Sequence, residues 1–107
     1  MLFISYGTRP EWIKVKPVIK ELKRREIDHK VLFTGQHQDI ANYYFDVRLN
    51  LESSVIDNRL DSIFSEIIEK VNTTKILDEA KYLLVQGDTA SVAALSLVAF
   101  HRQIKVM

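Results

Sequence analysis

The sequence predicts an α/β domain in which a parallel β-sheet carries helices on both faces. Short apolar runs rich in β-branched and aromatic residues are bounded by chain breakers and do not alternate. That pattern suits strands covered on both sides in a parallel sheet. Between the runs, apolar residues recur at helical spacing, so strand and helix follow one another as successive βαβ units. The 107 residues are enough for one domain with one core.

Four runs read as strands: Leu2–Tyr6, Lys30–Thr34, Tyr82–Gln86 and Ile104–Met107, with a weaker fifth at Val47–Leu51. Thr8 and Glu11 have capping-box spacing and Pro10 suits a first helical turn, so a helix starts here and runs to about Arg25. Its apolar stripe is Trp12, Val15, Ile19 and Leu22; Lys16, Lys20, Lys23 and Arg24 lie opposite. Pro17 removes the amide that would bond the Ile13 carbonyl and predicts a kink or an irregular second turn. Ile40, Tyr43 and Tyr44 indicate a short helix. Leu60, Ile63, Phe64, Ile67, Ile68 and Val71 give the clearest amphipathic spacing in the chain. The last helix, about Thr89 to His101, is apolar nearly all round, which predicts either deep burial or an outer face packed on a partner. The second is expected, with a homodimeric parent.

Composition excludes several classes. There are 15 Lys and Arg against 14 Asp and Glu, so net charge offers no case for nucleic acid or an acidic membrane. With no cysteine there is no disulfide framework and no thiolate metal site. The apolar opening Met1–Ile4 is too short for a signal segment, and no run approaches the ~20 apolar residues of a membrane helix. A cytoplasmic protein with no membrane partner is expected. The chain stops at Met107 within a strand pattern, so residues 1–107 are expected to be a truncated domain.

The chain has three glycines, and each follows an apolar run: Gly7, Gly35 and Gly87. In a parallel sheet these are carboxyl ends of strands, where open α/β folds bind ligands. Turn chemistry alone would also explain any one of them. After Gly7, the start of the helix favours an anion, and Arg9 and Lys14 add cations. A capped helix with surface cations is the plainer alternative. The Gly-x-x-x-x-Gly-Lys and Gly-x-Gly-x-x-Gly phosphate loops are both missing. After Gly35 come Gln36 and His37, either ligand groups or a polar helix entry. After Gly87 comes Asp88, either a helix cap or a carboxylate able to exchange a proton. His29 and His101 read as surface residues, and no metal site is expected.

These strand ends carry a resemblance. Gly7-Thr8-Arg9-Pro10-Glu11-Trp12-Ile13-Lys14, followed by Pro17, resembles the amino-terminal signature of the non-hydrolysing UDP-N-acetylglucosamine 2-epimerases. Thr34-Gly35-Gln36-His37 is similar to that family's second strand end, and Val85-Gln86-Gly87-Asp88-Thr89 to its fourth. The motifs occur in the family's order and spacing, and the resemblance covers the whole chain. It implies the first half of a GT-B-type enzyme, in which two Rossmann-like domains close over a UDP-sugar. The implied reaction interconverts UDP-N-acetylglucosamine and UDP-N-acetylmannosamine for surface polysaccharides, without metal or nicotinamide. The C2 proton is removed with elimination of UDP, and re-addition inverts C2.

By position, the resemblance assigns Arg9 to the diphosphate, Lys14 to the neighbourhood of the reacting sugar and Asp88 to acid/base work. Gln36 and His37 match a cleft segment that in some bacterial members meets a second, activating UDP-sugar. Gly7 and Gly87 complete the expected substrate edge. Two positions depart from the pattern: Gln86 stands where many relatives have His, and Gln38-Asp39 where they have Arg-Glu. The second departure bears on any allosteric site. The family's His-x-Glu-Ala-Gly segment and its carboxy-terminal UDP-binding domain would lie beyond Met107. The alternatives are a GT-B glycosyltransferase domain and a non-catalytic module binding through the basic face Lys16–Arg25.

Overall fold

The computed structural model describes residues 1–37, 43–52, 59–87 and 89–107. In chain order these form β1 (Leu2–Tyr6), α1 (Arg9–Arg24), β2 (His29–Phe33), β3 (Val47–Arg48), α2 (Leu60–Thr74), β4 (Tyr82–Leu84), α3 (Ala90–His101) and β5 (Lys105–Val106). The sheet order is β3-β2-β1-β4-β5, and every pairing is parallel. The central strand β1 sets Ile4 beside Val31 on one side and Leu84 on the other. The chain therefore winds outward from β1 in both directions, and the carboxyl ends of β1, β2 and β4 face the same edge. Such an edge beside a reversal of strand order is where ligand crevices form.

Successive residues of β1 serve opposite faces, as pleating requires. Ile4 and Tyr6 join Val31 and Phe33 of β2 against Trp12, Val15 and Ile19 of α1. Phe3, Leu32 and Leu83 join Ile63, Ile67 and Val71 of α2 and Leu95, Val98 and Ala99 of α3. Both faces are covered, so the expected architecture is the observed one.

The strand ends shift by a few residues from the apolar runs. β4 closes at Leu84, although the Val85 amide still donates to the Met107 carbonyl at 3.1 Å. α1 continues as one helix through Pro17, which is exposed, without the interruption that its missing amide predicts. The short helix expected around Ile40, Tyr43 and Tyr44 is only partly within the described residues, and Tyr43 and Tyr44 are not helical. Tyr43 stacks on Trp12 with ring centroids 5.1 Å apart, and the Tyr44 carbonyl accepts from the Tyr6 hydroxyl at 2.8 Å.

Candidate active-site cleft

Buried polar side chains cost free energy unless they are hydrogen-bonded, so where they gather is informative. Among the described residues they are Ser5, Thr8, Glu11, Thr34, Gln36 and Ser91. All but Ser5 lie just past the carboxyl ends of β1, β2 and β4 or in the helices that follow. They are joined in two linked sets.

The first set is built on Glu11. Thr8 is the N-cap of α1 and accepts from the Glu11 amide at 3.5 Å, half of the expected capping box. The returning half differs. The Glu11 carboxylate reaches one residue further back and takes the Gly7 amide on Oε1 at 2.8 Å. Its Oε2 accepts from the hydroxyl of Thr89, the N-cap of α3. One carboxylate thus joins the starts of two helices.

The second set fixes Gln36. Its Oε1 accepts from the Ser91 amide at 3.1 Å and from the Ser91 hydroxyl at 2.6 Å. Gln36 therefore caps the first turn of α3 from another segment of the chain. Thr34 Oγ1 lies 2.8 Å from Ser91 Oγ and receives the Gln36 amide at 3.3 Å. The Ser91 amide is a donor only, so the carbonyl end of the Gln36 side chain is the end facing α3. No described residue accepts from its Nε2, and Gln36 lines the cleft described next.

The glycines divide by mechanism. Gly35 and Gly87 take φ of 80° and 95°, which glycine adopts without the cost of a Cβ. Gly7 does not. A Cβ there would run into Thr34 Oγ1 and Ser91 Oγ, so Gly7 is glycine because the two loops close tightly over it. The His37 amide donates to the Gly7 carbonyl at 2.9 Å and seals the same junction.

Above these sets lies a cleft of about 330 Å³, lined by residues of all three loops that include Thr8, Lys14, Gln36, His37, Gly87 and Thr89. That volume is at the lower end for small-molecule sites. Of the expected site residues, Lys14, Gln36, His37 and Gly87 come together here. Gly7 lies buried beneath them, and Arg9 is exposed at the start of α1 outside the lining. Asp88 falls outside the described residues; the N-cap of α3 is Thr89. The cleft also includes Gln86, where many relatives of the resembled family have His.

The start of α1 offers an anion fewer amides than expected: Pro10 has none, and those of Gly7 and Glu11 are engaged. Positive charge in the cleft rests with Lys14, which makes no ion pair among the described residues. The basic face of α1 is partly neutralised, because Arg24 and Arg25 both bond Glu21. Those bonds hold the Glu21 carboxyl below its usual range, Arg24 contributing most. Among the described residues no group of three His, Asp or Glu side chains converges as a metal site. No described helix is long and apolar enough to cross a membrane.

Glu11, Thr34, Thr89 and Ser91 were not read from the sequence as site residues. Glu11 was visible only as a capping partner, because its second partner is 78 residues away.

Comparison with known proteins agrees with the motifs. The family model described as UDP-N-acetylglucosamine 2-epimerase matches residues 20–107. The chain is 36% identical over 109 residues to UDP-N-acetylglucosamine 2-epimerase of Neisseria meningitidis, covering 94% of this chain and 29% of that protein. It is 32% identical over 112 residues to the Salmonella borreze enzyme, covering 99% of the chain and 29% of the relative. The crystal structure of the Neisseria enzyme bound to UDP-GlcNAc superposes with a TM-score of 0.83 at 33% identity, over 98% of this chain and 30% of that one. The Methanocaldococcus jannaschii enzyme in complex with UDP-GlcNAc and UDP gives 0.81 at 27% identity, over 98% and 31%. The chain thus spans under a third of the length of these relatives. With a parallel α/β fold, three motif-bearing loops around one cleft and a family match over most of its length, the chain belongs to the UDP-N-acetylglucosamine 2-epimerase family.

Proposed function

We propose that the chain is the amino-terminal domain of an enzyme that interconverts UDP-N-acetylglucosamine and UDP-N-acetylmannosamine for surface polysaccharide synthesis. The observation that carries this reading is the cleft in which Lys14, Gln36, His37 and Gly87 meet at the carboxyl edge of the sheet. Elimination of UDP from C1 leaves a diphosphate that needs positive charge, and removal of the C2 proton needs a base. Lys14 supplies a cation at the reacting sugar, and Arg9 contacts the diphosphate from the start of α1. Asp88, next to Gly87 and Thr89, is the acid/base group. The Gln36 Nε2 donates to a ligand oxygen. A cleft of this size forms one wall of the site, and a carboxy-terminal UDP-binding domain closes the other. The 107 residues alone then give no turnover. A nucleotide-sugar substrate places the enzyme in the cytoplasm, with no nucleic-acid partner.

The test follows UDP-N-acetylglucosamine in D2O by proton NMR, using the chain joined to the remainder of its gene product. Appearance of UDP-N-acetylmannosamine with deuterium at C2 is expected, and Lys14→Ala should slow it by at least tenfold. Transfer of the sugar to an acceptor, without epimerisation, would establish a glycosyltransferase instead. Turnover by the 107 residues alone would refute the two-domain reading.

The parent is also proposed to be a homodimer joined through α3. Ala93, Leu97 and Phe100 lie along its outward side, and Phe100 is 75% exposed. Light scattering should show a dimer that Phe100→Asp dissociates, while a wild-type monomer at high concentration would count against the interface.

A further inference from the structure

We propose that Glu11 is a positioning residue, a clamp that sets the cleft wall carrying Thr89 against the α1 side that carries Lys14. The inference rests on the cleft being a substrate site, and it assigns Glu11 a task that neither capping nor substrate contact describes. The carboxylate is 3% exposed and lines the cleft, yet both of its oxygens are occupied within the protein. Oε1 holds the Gly7 amide and Oε2 the Thr89 hydroxyl. Thr89, at the N-cap of α3, makes no cap bond with its own side chain and spends its hydroxyl on Glu11. On the other side of Asp88 in the chain, a Cβ added to Gly87 would meet Glu11 Oε2 at 3.4 Å. Thr89 is thus bonded to this carboxylate, and a side chain at Gly87 would touch it.

A carboxylate suits this place because both partners arrive as donors and it presents two acceptors. Glutamine retains one acceptor for the Gly7 amide, and its NH2 then faces Thr89 Oγ1, which can accept once its hydroxyl rotates. Alanine removes both links. The variant Thr89→Val cuts only the α3 link and leaves the α1 cap untouched.

The experiment measures 15N order parameters of the chain in the wild type, Thr89→Val, Thr89→Ser, Glu11→Gln and Glu11→Ala. In the wild type and in Thr89→Ser, Gly87 and Thr89 should sit near the rigid-backbone value of about 0.85. In Thr89→Val and Glu11→Ala they should fall below about 0.6, with Glu11→Gln close to wild type. α1 amides should be unchanged in Thr89→Val, a pattern that a purely capping role of Glu11 does not produce. Unchanged order at Gly87 and Thr89 in Thr89→Val, or low order already in the wild type, would overturn the clamp. UDP-N-acetylglucosamine conversion by the longer protein is read separately. If the wild type fails to convert it, the functional reading fails while the order parameters still decide the clamp. If the wild type converts it, Thr89→Val should lower kcat about tenfold and leave KM within about twofold.

Discussion

Gly7 is fixed by packing and through both of its backbone groups. Thr34 and Ser91 close over its Cα, and its amide and carbonyl are taken by Glu11 and His37. Gly7→Ala forces a methyl group into that junction, and overpacking of this kind typically costs about 1–3 kcal/mol. Urea unfolding should show a lower midpoint with an unchanged slope. Because the displaced groups are Thr34 and Ser91, the partners of Gln36, the cleft should be disturbed together with the stability. The motif string made Gly7 legible as special but assigned it to ligand approach. The packing reason needed the loop after β2 and the start of α3, which are distant in sequence.

At the scale of elements, the helices end in an uncommon way. Among the described residues, α1, α2 and α3 are each followed by a non-glycine residue in the left-handed region: Glu26 at φ 55°, Lys75 at 57° and Gln103 at 59°. Glycine usually takes such positions, since a Cβ there costs about 1–2 kcal/mol. The chain's three glycines all stand at strand ends instead. Lys75, the C-cap of α2, is 57°, 28° in φ, ψ, and its amide bonds the Val71 carbonyl at 3.1 Å. Lys75→Gly should therefore raise stability by about 0.5–1 kcal/mol, the relief of strain less the added chain entropy. A rise in thermal midpoint with unchanged α2 helicity by circular dichroism checks it. The amphipathic stripe of α2 was plain in the sequence, and Ile63, Ile67 and Val71 are buried as it requires. Leu60 matches the same stripe but, as the first residue of α2, is 65% exposed.

Across the whole molecule, the α1 face of the sheet holds a group whose burial makes stability depend on alkaline pH. Burial pushes the Tyr6 phenol well above its ordinary range, and the adjacent Tyr43 adds to the shift. The folded state thus favours the neutral phenol, whereas an unfolded tyrosine ionises near about pH 10. This contribution is complete below about pH 10 and is lost as the pH rises toward the folded value. Chemical denaturation from pH 8 to 12 should show stability falling above about pH 10. Tyr6→Phe should be less stable at pH 8 by about 1 kcal/mol, since the Tyr44 carbonyl loses its donor, but should decline less steeply.

The alternation of apolar runs and helical stripes determined an α/β domain, because burial on both sheet faces imposes it locally and repeatedly. The three glycine-centred strings also determined which edge carries the cleft, since strand ends in a parallel sheet face one way. For that reason Lys14, Gln36, His37 and Gly87 could be placed at the cleft edge from the sequence. What only the tertiary structure decided was how those loops hold one another. Glu11 reaches Thr89, and Gln36 caps the helix that begins beside Thr89. Buried polar groups must find partners wherever the fold brings a donor and an acceptor together, and that pairing is set by packing rather than by any spacing along the chain.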